Sequence, residues 1–452
     1  MKKIHTALTI AGLDPSGGAG LQADLKTFAA YGVAGKSVAT SITIQNTNGV
    51  NGVHDLPADI VVQQLAAILD DGKPQAVKTG MLGNDSIVEG VTRVLRRHRV
   101  KNLVVDPVIR SSSGKTLLSA KGVKALKERL LPAALLVTPN LAEAEKLSGV
   151  KIRKASDRIR AARALLKWGV KNVLITGGHL RGKPQDFFYD GGRPLLLDSN
   201  RLAGGDVHGT GCVLASAVAA GLAQGLDIIS SVREAKEFVG RAIAGAIRSG
   251  EGLPQAEPLA GLYQSGERYY LFERVLASVE ILKQARIGHL IPEVQSNMGI
   301  ALEGARTLED VIGFPGRIVK CGEDIVWPVP PRFGGSRHVA DIVLTVMQFD
   351  PSKRAVMNIK YSENLIKICR GLKFKIGSFD RSREPRQVRT QEGSSLEWGT
   401  AHAIRRCGFV PDIVFDKGGV GKEEMIRVIA EDVESLTGKI LKIHRGYLKS
   451  SR

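Results

Sequence analysis

The stretch Ala7-Leu-Thr-Ile-Ala-Gly-Leu-Asp-Pro-Ser-Gly-Gly-Ala-Gly-Leu-Gln-Ala-Asp-Leu-Lys-Thr-Phe28 reads in three parts. Ala7–Ala11 is a short apolar run of strand character. Asp14–Asp24 is rich in glycine at its start and opens a helix expected over Gly20–Ala30. A strand feeding a helix through a glycine-rich turn is the repeating unit of a parallel sheet. Glycines in the turn let backbone N–H groups approach a ligand, and the helix N-terminus favours negative charge. The G-x-G-x-x-G spacing of a dinucleotide fingerprint is absent.

The same alternation continues to about residue 250. Strands are expected at Ser37–Ile44, Ala76–Thr79, Asn102–Val105, Leu135–Thr138 and Asn172–Thr176. Amphipathic helices are expected at Ala58–Asp70, Ser86–Arg97, Ser119–Leu131 and Ser156–Trp168. This predicts an α/β fold, a mostly parallel sheet with helices on both faces and ligands at the carboxyl ends of its strands. Ser113-Gly-Lys-Thr116 is not a P-loop, because Ile109 stands where the first glycine is required. Residues 249–261, with two Pro and three Gly and no apolar period, read as a linker. A second, smaller α/β unit follows, with a helix expected at Tyr270–Lys283 and a strand at Asp341–Met347.

The chain has 452 residues, 43% hydrophobic and 24% charged, which excludes disorder as its overall state. No run approaches 18 consecutive apolar residues, and the opening residues are too polar for a secretory signal. Cys212, Cys321, Cys369 and Cys407 are widely spaced with no C-x-x-C pair, so neither a disulfide framework nor a zinc knuckle is expected, and the location expected is cytoplasmic. The net charge of +19 is spread over both parts, which favours anionic small ligands. Aromatics at 5% weaken a nucleic-acid reading, so no nucleic acid and no membrane partner are expected.

Gly204-Gly-Asp-Val-His-Gly-Thr-Gly-Cys212 runs directly into an Ala/Val/Leu helix, Val213–Ala223. Consecutive amides from Gly209 through Gly211 to Cys212 would face whatever lies before that helix, an anion hole suited to a transferring phosphoryl group. Cys212 at a helix N-terminus is expected to have a lowered thiol pKa and to take a proton from an alcohol.

Six motifs then occur in order: the opening stretch, Gln45-Asn-Thr-Asn-Gly-Val50, Lys78-Thr-Gly-Met-Leu82, Thr138-Pro-Asn-Leu-Ala-Glu-Ala144, Gly177-Gly-His179 and His208-Gly-Thr-Gly-Cys212. Together residues 1–250 resemble the hydroxymethylpyrimidine/phosphomethylpyrimidine kinases of thiamine synthesis, in the ribokinase superfamily. The resemblance implies that Asp24, Gln45 and Met81 hold an aminopyrimidine ring and that Cys212 is the base. It implies that Asn140 and Glu143 organise Mg2+ around the phosphates of ATP, with Glu143 nearest the metal, and that Thr176 lies on the nucleotide side. Many relatives carry Lys where Thr176 stands. His179 and His208 either compensate for that charge or are structural.

Beyond the linker (251–262), residues 263–448 carry Phe314-Pro-Gly-Arg317, Pro330-Pro-Arg-Phe-Gly-Gly-Ser-Arg-His338, Ser378-Phe-Asp-Arg381 and Asp416-Lys-Gly-Gly-Val-Gly-Lys-Glu423. Arginines suit pyrophosphate, and Gly418 and Gly419 with Lys422 are expected to form a phosphate-binding nest. The set resembles the archaeal-type thiamine-phosphate synthase domain, implying that Arg317 and His338 act in catalysis. The implied reaction joins the pyrimidine pyrophosphate to hydroxyethylthiazole phosphate. The alternative is a ligand-sensing regulatory domain without synthase activity. A homo-oligomer, a dimer, is expected.

Overall fold

The computed structural model describes residues 4–177, 184–198, 205–385, 394–419 and 421–450. The chain divides into two compact units, Met1–Tyr263 and Gln264–Arg452.

The first unit contains β1 (Thr6–Leu13), α1 (Gly20–Ala30), β2 (Ala34–Asn46), β3 (Gly49–Asp55), α2 (Ala58–Asp71), β4 (Ala76–Thr79), α3 (Asp85–Arg97), β5 (Leu103–Val105), α4 (Ala120–Ala125), β6 (Leu136–Val137), α5 (Leu141–Ser148), α6 (Ala155–Leu166), β7 (Asn172–Ile175), β8 (Gln185–Tyr189), β9 (Leu195–Asp198), α7 (Thr210–Ala223) and α8 (Ile228–Ala244). Its nine-stranded sheet has the order β3-β2-β1-β4-β5-β6-β7-β8-β9. Strands from β2 to β7 run parallel, and β3, β8 and β9 are antiparallel additions at the two edges.

Successive side chains of a strand point to opposite faces, and the core divides accordingly. Leu8, Val77, Val105, Val137 and Val173 face one cluster with α2, α3, α5 and α6. Their neighbours Ala7, Ala76, Val104, Leu136 and Leu174 face α1, α7 and α8. Helix α7 is buried from Val213 to Ala223, and its run of Ala, Gly and Ser lets it lie close against the strands.

The sequence expectations for β4 and α1 match to the residue, and Val213–Ala223 extends to Thr210–Ala223. The expected helix Ser119–Leu131 is α only to Ala125 and then widens into a π turn over Leu126–Leu130. The stretch expected as a linker is built into the first unit. Ile247 and Gln255 exchange backbone hydrogen bonds, Gly252 N–H donates to Thr47 Oγ1, and Gln255, Ala256 and Glu257 are buried.

The second unit contains α9 (Ala260–Gln284, which starts in the first unit's last residues), β10 (Met298–Ala301), β11 (Val311–Gly313), β12 (Val319–Cys321), β13 (Asp324–Val326), β14 (Arg332–Phe333), α10 (Arg337–Phe349), β15 (Ala355–Lys360), α11 (Glu363–Gly371), β16 (Ile376–Ser378), α12 (Ser394–Cys407), β17 (Ile413–Asp416), β18 (Met425–Ala430) and α13 (Val433–Ser450). Its seven-stranded sheet, β14-β11-β10-β15-β18-β17-β16, is antiparallel except for β16 with β17. It is a second α/β unit, as expected. The strand expected at Asp341–Met347 is instead the middle of α10. Val339, Ile342, Val343 and Val346 are buried at helical spacing, a period that the β-branched composition hid.

Candidate active site

A cavity of about 1000 Å³ opens at the carboxyl ends of the parallel strands of the first unit. Gln45, Met81, Asn140, Glu143, Thr176, Gly209, Gly211 and Cys212 all line it, so most residues expected from the sequence converge on one space. Asp24 does not line it. His179 lies outside the described residues.

The cavity floor is the start of α7. Gly209 caps the helix with φ +86°, and a Cβ there would lie 1.8 Å from the Gly18 carbonyl oxygen. At Gly20, with φ +56°, a Cβ would lie 2.3 Å from the Gly12 carbonyl oxygen of its own loop. Only glycine fits either position, and at Gly209 the two glycine-rich loops interlock at the start of the helix whose first turn carries Gly211 and Cys212.

Behind this floor sits a buried charge pair. Lys78 Nζ lies 2.8 Å from Asp24 Oδ2, which also accepts from Thr9 Oγ1 at 2.5 Å, while Asp24 Oδ1 accepts from Ser216 at 2.6 Å. Asp24 is thus a support for Lys78, whose side chain is fully buried and yet borders the cavity. Gly80 leaves room for it, since a Cβ there would meet Nζ at 2.7 Å.

The expected lowering of the Cys212 thiol pKa is reversed. Burial pushes it up to about 12, and Asp106 and Asp24 push the same way; Lys78 and the Gly20 N–H pull against them without prevailing. The side chain is only half-buried by its exposed surface, and the buried carboxyls behind it add to the rise.

Asp106, in Asp106-Pro-Val108 directly after β5, was not singled out by the sequence reading. An acidic residue at the carboxyl end of a buried strand was the available signal. Burial, opposed by Lys78 and reinforced by Asp24, pushes Asp106 up to about 6. Its Oδ2 has no hydrogen-bond partner among the described residues. Glu143 caps α5 reciprocally with Asn140: its Oε2 accepts from Asn140 N–H at 3.0 Å and Oε1 from Ile109 N–H at 3.1 Å. Burial and the nearby Asp106 push it up to about 8. Two buried carboxyls that resist ionisation, one with an orphaned oxygen, fit a divalent cation supplying the missing charge. No cluster of three potential metal ligands occurs among the described residues.

Thr176 extends the cavity toward Asp186, which binds Gly177 N–H at 2.9 Å and Lys236 Nζ at 2.6 Å. Lys236 therefore brings an ammonium, paired with Asp186, to the Thr176 side of the cavity.

In the second unit Arg317 is exposed in the turn after β11, at φ +61°, with its guanidinium donating to the Val294 carbonyl. His338 is exposed at the second residue of α10. The loop before α10 packs on the end of β11, where a Cβ on Gly335 would lie 2.4 Å from the Gly313 carbonyl. Gly418 and Gly419 do not offer free amides as a nest. Gly418 N–H donates to Asp416 Oδ1 at 3.0 Å and Gly419 N–H to the Lys422 carbonyl at 2.9 Å. Lys422 Nζ lies 3.8 Å from Glu384. The loop instead holds Asp416, fully buried, between Arg381 (Nε to Oδ1, 2.5 Å) and Arg427 (Nη1 to Oδ2, 2.8 Å). Two guanidiniums on one carboxylate leave a net positive charge there.

A helix-flanked, mostly parallel sheet with an anion-directed helix start in its cavity defines a ribokinase-like small-molecule kinase. The first unit resembles Bacillus subtilis pyridoxal kinase solved as an ADP complex, with TM-score 0.54 and 36% identity over 57% of this chain and 99% of that one. It also resembles Staphylococcus aureus pyridoxal kinase in complex with AMP-PCP and pyridoxal, with TM-score 0.53 and 35% identity over 57% and 94%. Residues 14–256 match the phosphomethylpyrimidine kinase family, and residues 274–442 match the thiamine-phosphate synthase ThiN family. The chain belongs to the bifunctional thiamine biosynthesis proteins that join these two domains. It is 33% identical over 447 residues to the bifunctional protein ThiDN of Methanocaldococcus jannaschii, covering 97% of this chain and 98% of that one. The hydroxymethylpyrimidine/phosphomethylpyrimidine kinase of Rhizobium meliloti is 47% identical over 244 residues, 54% of this chain and 91% of that protein. No helix among the described residues is long and apolar enough to cross a membrane.

Proposed function

We propose that the first unit transfers phosphate from ATP to the hydroxymethyl group of 4-amino-5-hydroxymethyl-2-methylpyrimidine and then to the resulting monophosphate. The second unit then condenses the pyrimidine pyrophosphate with hydroxyethylthiazole phosphate, giving thiamine phosphate and pyrophosphate. The observation that carries this reading is a single cavity that holds both a ring-reading amide, Gln45, and the phosphoryl-directed amides of Gly209–Cys212.

In the kinase step Gln45 and Met81 hold the ring, and the Gly209, Gly211 and Cys212 amides stabilise the transferring phosphoryl group. The hydroxyl oxygen bonds to the γ-phosphorus as the bond to the β-bridging oxygen breaks and ADP leaves. With a loose transition state, little proton removal is needed before that bond forms. Cys212 takes the hydroxyl proton late, in its minor thiolate form, which the Lys78 charge favours. Asp106 and Glu143 would hold Mg2+, with Asn140 fixing Glu143, and the ion would neutralise phosphate charge. Thr176 and Lys236 border the nucleotide.

In the synthase step Arg317 stabilises the departing pyrophosphate, and His338 orients substrate or manages a proton. Arg381, with the positive excess around Asp416, and Lys422 attract the phosphate groups. The division near residue 263 separates the two activities. The exposed pair Ile42 and Ile44 on one face of β2 supports a homodimer, which light scattering would test.

Purified chain, magnesium-ATP, hydroxymethylpyrimidine and thiazole phosphate in one vessel should give thiamine phosphate by mass spectrometry. Accumulation of the pyrimidine pyrophosphate alone would leave the kinase standing and favour the sensing alternative for the second unit.

A further inference from the structure

His208 stands directly before Gly209, where the anion-hole amides begin. Its backbone is pinned from both sides, His208 N–H to the Pro254 carbonyl at 2.8 Å and its carbonyl to Ala256 N–H at 3.0 Å. The imidazole lines the cavity between three loops. Its Nε2 lies 3.1 Å from Gln45 Nε2, its Nδ1 3.4 Å from Ser112 Oγ, and its Nε2 3.8 Å from Asp14 Oδ2.

These contacts determine protons. An amide –NH2 only donates, so the His208 Nε2 facing it must accept. In that tautomer the ring proton sits on Nδ1, where the Ser112 hydroxyl can receive it. Asp14 Oδ2 is too distant for a hydrogen bond and already accepts from Ala19 N–H at 2.8 Å.

The other end of the Gln45 amide follows. Thr43 Oγ1 has one proton, which goes to the Leu13 carbonyl at 2.9 Å, so its 3.4 Å contact with Gln45 Oε1 is a weak claim on that oxygen. A β-bulge between Ile44 and Gln45 re-aims the strand here, leaving Ile44 outward and Gln45 on the cavity. Gln45 therefore offers the cavity an acceptor. A ring bearing an amino group donates to it, whereas a ring bearing an ionised oxygen at that edge meets it lone pair to lone pair.

We propose that His208 is a specificity-determining positioning residue: by accepting from the Gln45 amide it fixes the carbonyl oxygen toward the ring, selecting amino-bearing over oxygen-bearing heteroaromatic alcohols. This rests on the kinase reading above.

The test measures kcat and KM of the full-length protein for hydroxymethylpyrimidine and for pyridoxal, in wild type, His208→Phe, His208→Gln and Ser112→Ala. Phe keeps a flat ring without an acceptor, and the pyrimidine-to-pyridoxal ratio of kcat/KM should fall about tenfold or more, carried in the pyrimidine KM. Gln carries a carbonyl acceptor and should restore most of the ratio. Ser112→Ala, on an exposed loop, removes the partner that holds the Nδ1 proton and should lower the ratio about threefold. If His208→Phe does not fold, the Ser112→Ala ratio decides. A wild type that does not phosphorylate the pyrimidine would overturn the kinase reading itself. An active wild type with an unchanged ratio in the variants, or an equal loss of kcat for both substrates, would overturn the role of His208 alone.

Discussion

Lys78 and Asp24 form an ion pair sealed from solvent, with Nζ 2.8 Å from Oδ2, both side chains fully buried and Lys78 bordering the cavity. Asp24 has both oxygens occupied by protein donors, so the pair is oriented from behind. Its positive end lies next to Cys212 and Asp106, and the Lys78 ammonium is correspondingly held above the ordinary lysine range by Asp24, Cys212 and Asp106 despite the opposing effect of burial.

Asp24→Ala should cost about 3–5 kcal/mol, because it strands a buried ammonium. The neutral double variant Asp24→Asn/Lys78→Met should recover part of that stability while remaining a poor kinase. Denaturant midpoints of the kinase transition, beside kcat, would check both. A double variant as active as wild type would remove the pair from any catalytic account.

A thiol pushed up to about 12 is almost wholly protonated near neutrality, with thiolate on the order of one part in ten thousand at pH 8. Iodoacetamide labelling of Cys212, followed on its own peptide, should therefore climb about tenfold per pH unit from 7 to 10 without levelling. Lys78→Met should slow it at each pH. A plateau near pH 7 would mean that the helix N-terminus prevails over burial after all.

Gly209→Ala must move a Cβ out of the Gly18 carbonyl and hold alanine at φ +86°. Loss of at least a hundredfold in kinase kcat is expected, as for removal of an oxyanion donor. Synthase turnover from supplied pyrimidine pyrophosphate serves as the internal control and should be retained.

Arg317→Ala should lower synthase turnover by about a hundredfold or more and leave the kinase untouched. Product analysis would show the pyrimidine pyrophosphate accumulating. Unchanged synthase turnover would sink the assignment.

The first unit was legible because its glycines sit where backbone geometry admits nothing else and its strands carry short apolar runs. Gly209 and Gly20 mark the interlocked loops, and β4 matched to the residue. The edge strands β3 and β9 were not read, since half-exposed strands lack that signal, and β8 was missed although its residues Asp186 to Tyr189 are buried. Composition misled at Asp341–Met347, where β-branched residues on a buried helical face imitate a strand. The roles of Lys78, Asp106 and His208 depend on distances between loops far apart in the chain. A residue motif names them without saying which atom faces which. The Gly418 loop failed for a related reason: the Gly418 amide turns inward to Asp416 and the Gly419 amide to the Lys422 carbonyl, which no spacing rule reveals.

The return of residues 247–257 across the first unit bears on how the protein can be dissected. Gln255 reaches Ser16 in the first glycine-rich turn at 3.1 Å, and Gly252 and Leu253 clamp Thr47 just after β2. Lys26 meets Glu257 at 3.8 Å. A gene fragment ended at the apparent boundary near residue 250 would discard the strap that fastens both walls of the cavity, whereas one carried through Tyr263 keeps it. The punctuation that looks like a seam between two enzymes is structurally the last stitch of the first.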